Sequence, residues 1–491
     1  MKNEQRQNNP IPTSARNYVW IAALATIVQF VLFKYFYPYP DFFGDSYTYI
    51  EAAMHRDTVS IRPIGYSVFL LLIHGISDSG MFLALIQYLL MQAACFYLFL
   101  TLLRFYRPSK IVQRILFVFL FLNPVSLYMC NYVSSDALFI SLSLVWIVEL
   151  IRMTFRQTWW RATLQLILLA MILGLRFTAL YYPLIFVLAI LLSGKNILFK
   201  SVAIAGCFIV IAIGITVARQ ETYRQTGVAM FSPFSAWQVA NNALIAYTHI
   251  PAGEAGRPPQ ECRELDSMVR TYIDTTSPAR RIKISSLGSQ FMWEETSPLK
   301  RFTYSYMQKN NCSYFLAWNR VAPVFSKYGY FLIRQHPIAF TWYYLWPSAR
   351  HFLLPPLEIL WYYNEGKEEI SPVAKDWFGL DSTHVKVRYP NIQRWILYPL
   401  TWLNFFVNLF FVLTTILFLL AKDLRHRAPA FFRSYLLVGA YFVANACFSI
   451  FAAPNELRYQ LLPLILLFSF SLACIPFLFA RRSSSSAVAS A

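Results

Sequence analysis

The chain has 491 residues, of which 57% are hydrophobic and 14% charged, against roughly half and about a quarter in an ordinary soluble domain. That balance, with an aromatic share of 18%, excludes a water-soluble enzyme, a disordered chain and a nucleic-acid-binding domain, and leaves the lipid bilayer as the expected solvent. The formal net charge of +19, from 43 Lys and Arg against 24 Asp and Glu, then reports first on topology, because cations are retained in cytoplasmic loops.

The chain opens with MKNEQRQNNPIPTSARNYVW, a polar stretch before an apolar run that lacks a small-residue cleavage site. Residues 1–17 are therefore expected as a cytoplasmic tail ahead of a retained first span. Runs that meet or approach the ~20 apolar residues of a spanning helix lie at 18–37, 81–103, 111–130, 134–151, 161–175, 178–193, 197–217, 393–421, 431–453 and 458–480. The apolar stretch 64–76 is too short and is expected as a helix on the outer surface. With the N-terminus inside, the basic clusters Arg16, Arg104 to Arg114, Arg152 to Arg161, Lys195 with Lys200, Lys422 to Arg427, and Arg481 with Arg482 all fall in inner loops. The pattern predicts an all-α polytopic membrane protein of about ten spans with both ends cytoplasmic.

Four regions follow from these spans: a transmembrane core over 18–217 with a first outer loop at 38–80, an extracytoplasmic segment over 218–391, C-terminal spans over 392–480 and a disordered cytoplasmic tail over 481–491. The outer segment, at about 170 residues, has the length of a domain or lid. Its Trp and Tyr clusters, as in TWYYLWPSARHFLL, suit helices lying at the membrane interface, and a mixture of both is expected. Of seven cysteines, Cys95, Cys207, Cys447 and Cys474 sit in apolar runs as packing residues. Cys262 and Cys312 lie in the polar segment, where they either pair in an oxidising compartment or stay free. The sequence contains no P-loop, no dinucleotide fingerprint and no paired interrupted spans of a transporter.

Polar residues gather on the expected outer face. Asp41, Asp45 and Glu51 lie in PDFFGDSYTYIEAAMHRD just after the first span. Asp45 there is either the N-cap of an interfacial helix or a catalytic carboxylate. Asp136 opens a span in NYVSSDALFISLSLVW, where Ser134, Ser135 or Asp136 caps the helix, or Asp136 joins Asp45 in acid–base work or metal binding. Arg62, Arg176 and Arg458 stand on the same face against the topological bias. Each either pairs with a protein carboxylate, as Arg458 with Glu456, or the three hold a bound anion, and three at one surface favour a phosphate. His55, His74, His249 and His336 have no metal-ligand spacing.

The segments GDSYTYIEAA, RPIGYSVFLLLIHGIS, LNPVSLYMCNYVSSDALFISLSL, LGLRFTALYYP and ELRYQLLP, in this order and on one expected face, resemble the GT-C superfamily of integral-membrane glycosyltransferases. The resemblance is to the bacterial branch with the protein O-mannosyltransferases and the aminoarabinose transferase acting on lipid A. It covers roughly residues 15–220 and the final spans; residues 218–391 lie outside it. It implies transfer of a sugar from a polyprenyl-phosphate donor to a lipid, glycan or protein acceptor on the extracytoplasmic face, by inverting displacement. Asp45 matches the first-loop acid that serves as general base or orients the acceptor, and Asp136 matches the second outer-loop carboxylate. Arg62, Arg176 and Arg458 fall where such enzymes present cations to the lipid phosphate, with Asp41, Tyr49, Glu456 and Tyr459 as weaker substrate-binding candidates.

The chain departs from the resemblance in carrying Arg62, Pro63, Ile64 and Gly65 where many relatives have a Pro-Pro pair or a Lys, and Arg176 where many have Lys. Charge is kept at both positions. No cofactor is expected; the first loop lacks a clear Asp-x-Asp, so a divalent cation stays an option without being required. A bacterial inner membrane with the site facing the periplasm is the expected location. The alternatives are a lipid-linked oligosaccharide polymerase or ligase, and a non-enzymatic transporter of lipid-linked glycans.

Overall fold

A computed structural model of the chain describes residues 13–251, 256–277, 288–421, 423–452 and 455–479. Most of the expected N-terminal tail, all of the C-terminal tail, and Lys422, Arg481 and Arg482 lie outside them. The described chain is helical, without a strand beyond two isolated backbone bridges. Among the described residues, seven helices are long and apolar enough to cross a membrane: Arg16–Phe36, Gly80–Tyr106, Lys110–Asn131, Ile197–Thr226, Ile392–Leu420, Pro429–Ala452 and Leu457–Leu478. Outward apolar side chains such as Leu24, Ile213 and Leu413 stay exposed, as they do where hydrocarbon replaces water. The protein is an all-α membrane protein.

The three other expected spans fold as helices but fall short of that standard. Ser135–Met153 carries Asp136, Glu149 and Arg152 within its 19 residues. Trp159–Leu175 has 17 residues, and the run from Phe177 to Leu191 starts as a tight 3-10 turn before its α-helical part. Ser135–Met153 is buried at the centre of the bundle, packed against Gly80–Tyr106, Trp159–Leu175 and the last helix. Glu149 is held there by Arg152 at 3.3 Å and Arg161 at 3.8 Å.

The first outer loop contains two short helices, Gly44–Met54 and Gly65–His74, packed on each other. Its start is tied to the turn ahead of Ser135–Met153: the Asp41 amide donates to the Asn131 carbonyl at 2.8 Å, and the Val133 amide donates to the Asp41 carbonyl at 3.0 Å. The second short helix meets Trp159–Leu175 at a glycine contact. A Cβ at Gly65 would lie 2.5 Å from the Gly174 carbonyl oxygen, so only hydrogen fits between the two backbones.

The expected single outer segment divides in two. Residues 236–344 build their own hydrophobic core around Trp237 and Trp318, whose rings stack 3.6 Å apart while Trp237 Nε1 donates to the Trp318 carbonyl at 3.1 Å. Residues 357–387, through Leu357, Leu360, Tyr363, Trp377 and Val385, bury into the core of the helical bundle instead. From the end of the first part onward, Ile338, Trp342 and Trp346 recur every four residues along one exposed helical stripe, the placement of an interfacial helix. Cys262 and Cys312 are free thiols, with the Cys262 thiol buried. Cys262 lies in the segment's core and opens the Arg263–Thr275 helix, whereas Cys312 follows the Pro298–Asn310 helix and is only partly buried.

Candidate functional site

Tertiary contacts bring the sequence candidates to one end of the bundle. The tie between Asp41 and Asn131 sets the Gly44–Met54 helix beside Ser135–Met153, where the Tyr49 and Ser135 hydroxyls share a hydrogen bond of 3.0 Å. The glycine contact brings Arg62 alongside the end of Trp159–Leu175, where Arg176 breaks the helix with an extended backbone and leaves its side chain free of the helical ladder. The last helix supplies Arg458 as its second residue. A cation at a helix N-terminus opposes the macrodipole, and Glu456 just ahead of the helix offsets it.

The local caps decide what the carboxylates do. Asp45 does not cap its helix; Phe43 occupies that position. Ser134 caps Ser135–Met153, with its hydroxyl accepting from the Asp136 amide at 3.4 Å. Both aspartates sit in first turns with their carboxylates available for longer-range partners.

Those partners are the three arginines. Arg62 Nη2 donates to Asp45 Oδ1 at 2.5 Å. Asp136 is shared: Arg176 Nη1 bonds one oxygen, and Arg458 Nη1 bonds the other at 3.4 Å, with the Ser134 hydroxyl donating to it at 3.1 Å. Arg458 also grips Glu456 with two bonds, Nε to Oε2 at 2.7 Å and Nη2 to Oε1 at 3.1 Å. The Tyr459 ring lies under both guanidinium groups, 4.8 Å from that of Arg176 and 4.5 Å from that of Arg458.

The pairing separates the arginines by availability. Arg458 is buried, and its Nε, Nη1 and Nη2 are all engaged. Arg62 and Arg176 each bond a carboxylate through one nitrogen and keep 18% and 19% of the side chain exposed, so most of their five N–H donors remain to meet a ligand. Above Arg62 stand Phe234 at 4.4 Å and Trp293 at 5.7 Å, both from the segment with its own core.

These groups line a cavity of two lobes, about 560 and about 630 Å³, that share Asp45, Arg62, Asp136, Arg176, Tyr181 and Phe234. The first is the more polar, with Glu358, Glu456, Arg458, Tyr459 and Asn445 in its wall. The second adds Tyr49, Leu180, Leu184, Ala444 and Phe451. Leu184 and Phe451 are also exposed on the bundle's flank, so this lobe runs from the charged cluster to the apolar outer surface between Phe177–Leu191 and Pro429–Ala452. Among the described residues no three His, Cys, Asp or Glu side chains are disposed to hold a metal ion.

Asp41, a weaker sequence candidate, does not line the cavity. It is buried, and its Oδ1 accepts the Asn364 amide at 2.7 Å while Tyr363 donates to the neighbouring Pro40 carbonyl at 2.7 Å. Burial pushes its carboxyl up to about 8 against the pull of hydrogen bonds from the Asn364 amide, the Tyr132 hydroxyl and the Phe42 amide. It braces the first loop to the 357–387 segment. Tyr49 and Tyr459 line the cavity as anchored rings, and Glu456 lines it as the partner of Arg458.

The sequence reading missed Glu358, Trp293 and Phe234, which all come from the outer segment. Glu358 is open to the cavity yet ringed by protein. Burial and the nearby Glu456 raise its carboxyl to about 7, against a lowering by Arg458. The Pro-Pro pair ahead of it and its placement on the expected outer face were the only local signals. Comparison with protein-family models, curated proteins and solved structures returned no match.

Proposed function

We propose that the protein is a GT-C-type membrane glycosyltransferase that moves a sugar from a polyprenyl-phosphate donor to an acceptor on the extracytoplasmic face. The observation that carries this reading is the two-lobed cavity, polar and charged at one end and apolar where it reaches the bundle's flank. A lipid-linked sugar has the same division: its tail belongs in hydrocarbon, its phosphate cannot enter hydrocarbon unpaired, and its scissile bond lies where the two meet. The sequence resemblance supports the same conclusion independently.

In this reading Arg62 and Arg176 receive the donor phosphate with their remaining N–H groups and stabilise the charge that develops as it leaves. Asp136 and Asp45 hold those guanidinium groups in place, and Arg458, fixed by Glu456, sets the position of Asp136. The aromatic pair Phe234 and Trp293 lies against the Arg62 guanidinium and shields that side of it from water, which strengthens its interaction with an anion. The acceptor oxygen attacks the anomeric carbon from the face opposite the phosphate, so the product is inverted. The family resemblance suggests a bacterial inner membrane, and the distribution of basic loops favours this end of the bundle facing the periplasm.

The test is transfer from radiolabelled undecaprenyl-phosphate sugars to a total membrane extract by the purified full-length protein. Transfer with inversion is expected, with donor KM raised in Arg176→Ala and Arg62→Ala. Absence of transfer from every donor, or unchanged donor KM in both variants, would refute the proposal. Vectorial movement of the intact donor without bond cleavage would favour a transporter instead.

A further inference from the structure

Four of the carboxylates lining the polar lobe are bound to cations: Asp45 to Arg62, Asp136 to Arg176 and Arg458, Glu456 to Arg458, and Glu365 to Lys367 at 2.7 Å. Glu358 differs. It lines the same lobe, and among the described residues its carboxylate has neither an ion pair nor a hydrogen bond. A proton can reach it without first displacing a guanidinium group.

The backbone directs it there. Glu358 has φ of +46°, a left-handed conformation that side-chain-bearing residues rarely adopt. Such a conformation persists only where the surroundings over-determine it. Here four carbonyls around it are each held by a donor from outside the segment: Pro355 by the Thr401 hydroxyl at 3.0 Å, Pro356 by the Leu457 amide at 2.9 Å, Ile359 by the Tyr132 hydroxyl at 2.7 Å and Leu360 by Gln393 Nε2 at 2.9 Å. Leu357 and Leu360 on either side are buried in the bundle. Two of the donors belong to the Ile392–Leu420 helix, one precedes Ser135–Met153 and one starts the last helix, so the helix that carries Arg458 and the turn ahead of Asp136 also fix Glu358.

We propose that Glu358 is the catalytic base of the transfer reaction, an inference that rests on the glycosyltransferase reading. The acceptor oxygen forms its bond to the anomeric carbon while the bond from that carbon to the phosphate oxygen breaks. The bonding pair leaves on the phosphate, held by Arg62 and Arg176, and the acceptor proton passes to the Glu358 carboxylate. Asp45, bonded to Arg62, is then a positioning residue for the phosphate. The charged groups facing Glu358 are Glu456, which favours its protonated form, and Arg458, which opposes that effect. The balance suits a base working near neutral pH.

The experiment is the pH dependence of kcat and donor KM for the full-length protein in the transfer assay, with wild type, Glu358→Gln, Glu358→Asp and Asp45→Asn. The wild type is expected to lose kcat on the acid side with a midpoint near neutrality. Glu358→Gln is expected to lower kcat by about 10²- to 10⁴-fold, leave donor KM unchanged and abolish the acid limb. Asp45→Asn should keep that limb and raise donor KM. Glu358→Asp, which keeps the carboxylate, should retain part of the rate and carries the test if Glu358→Gln does not fold. Full kcat with the acid limb intact in Glu358→Gln, or, where that variant does not fold, an undiminished kcat in Glu358→Asp, overturns the inference while the transfer activity stands. A wild type that transfers no sugar overturns the glycosyltransferase reading, and the inference with it.

Discussion

Asp136 lies between Arg176 and Arg458, one guanidinium on each carboxylate oxygen, and so joins the end of one helix, the start of another and the cap of a third. The sequence separations of 40 and 322 residues make this bridge a consequence of packing alone. Its disruption provides the sharpest test of the site.

Asp136→Asn keeps the shape and removes the charge, leaving two guanidinium groups at a buried position with one counter-charge fewer. Breaking a buried pair in this way costs about 3–5 kcal/mol. The variant is expected to unfold at lower temperature in detergent and to lose transfer. A thermal-shift profile matching wild type would show that the bridge does not hold the site together.

Gly65→Ala places a methyl group 2.5 Å from the Gly174 carbonyl oxygen. Backbone cannot yield as a flexible side chain does, so the cost is expected at about 1–3 kcal/mol, with Arg62 moved away from Arg176. Donor KM should rise more than kcat falls, and steady-state kinetics separate the two. Gly174→Ala is the control, because a Cβ there meets nothing within 4 Å.

Asp41 yields a pH dependence of stability with a defined sign. Its folded carboxyl is raised to about 8 from an ordinary value of 3.8, so the folded state holds a proton that the unfolded state gives up. The contribution is full at pH below the unfolded value and is lost as pH rises through the folded one. Thermal stability should therefore fall between about pH 4 and 8. Asp41→Asn keeps an acceptor for the Asn364 amide and should flatten this part of the curve; an unchanged slope would remove Asp41 as its source.

Topology has a direct measure. Lys110 is exposed at the start of a helix, in the basic stretch between the second and third membrane-spanning helices. Lys110→Cys in oriented vesicles is expected to react with an impermeant maleimide only from the cytoplasmic side. Labelling from the opposite side would invert the arrangement and move the cavity to the cytoplasm.

The class of protein, the positions of its long apolar helices and the clustering of Asp45, Asp136, Arg62, Arg176 and Arg458 were legible in the sequence, because hydropathy and charge bias are sums over neighbouring residues. Each span is read within its own window, and the loops between spans inherit their side by alternation. Spans with polar interiors were harder to judge: Ser135–Met153 is sheltered by protein and tolerates Asp136, Glu149 and Arg152, which no local window can tell from a poorer span.

Only the tertiary structure decided which carboxylate meets which arginine, that Arg458 is fully engaged while Arg62 and Arg176 keep free donors, and that Asp41 is a brace. It alone divided the outer segment, sending residues 236–344 to a core of their own and 357–387 to the bundle. Glu358 belongs to the same group: its place in the cavity depends on a left-handed backbone held by Thr401, Leu457, Tyr132 and Gln393. Those donors are scattered over more than three hundred residues of sequence, and their convergence is a property of packing that composition and periodicity do not encode.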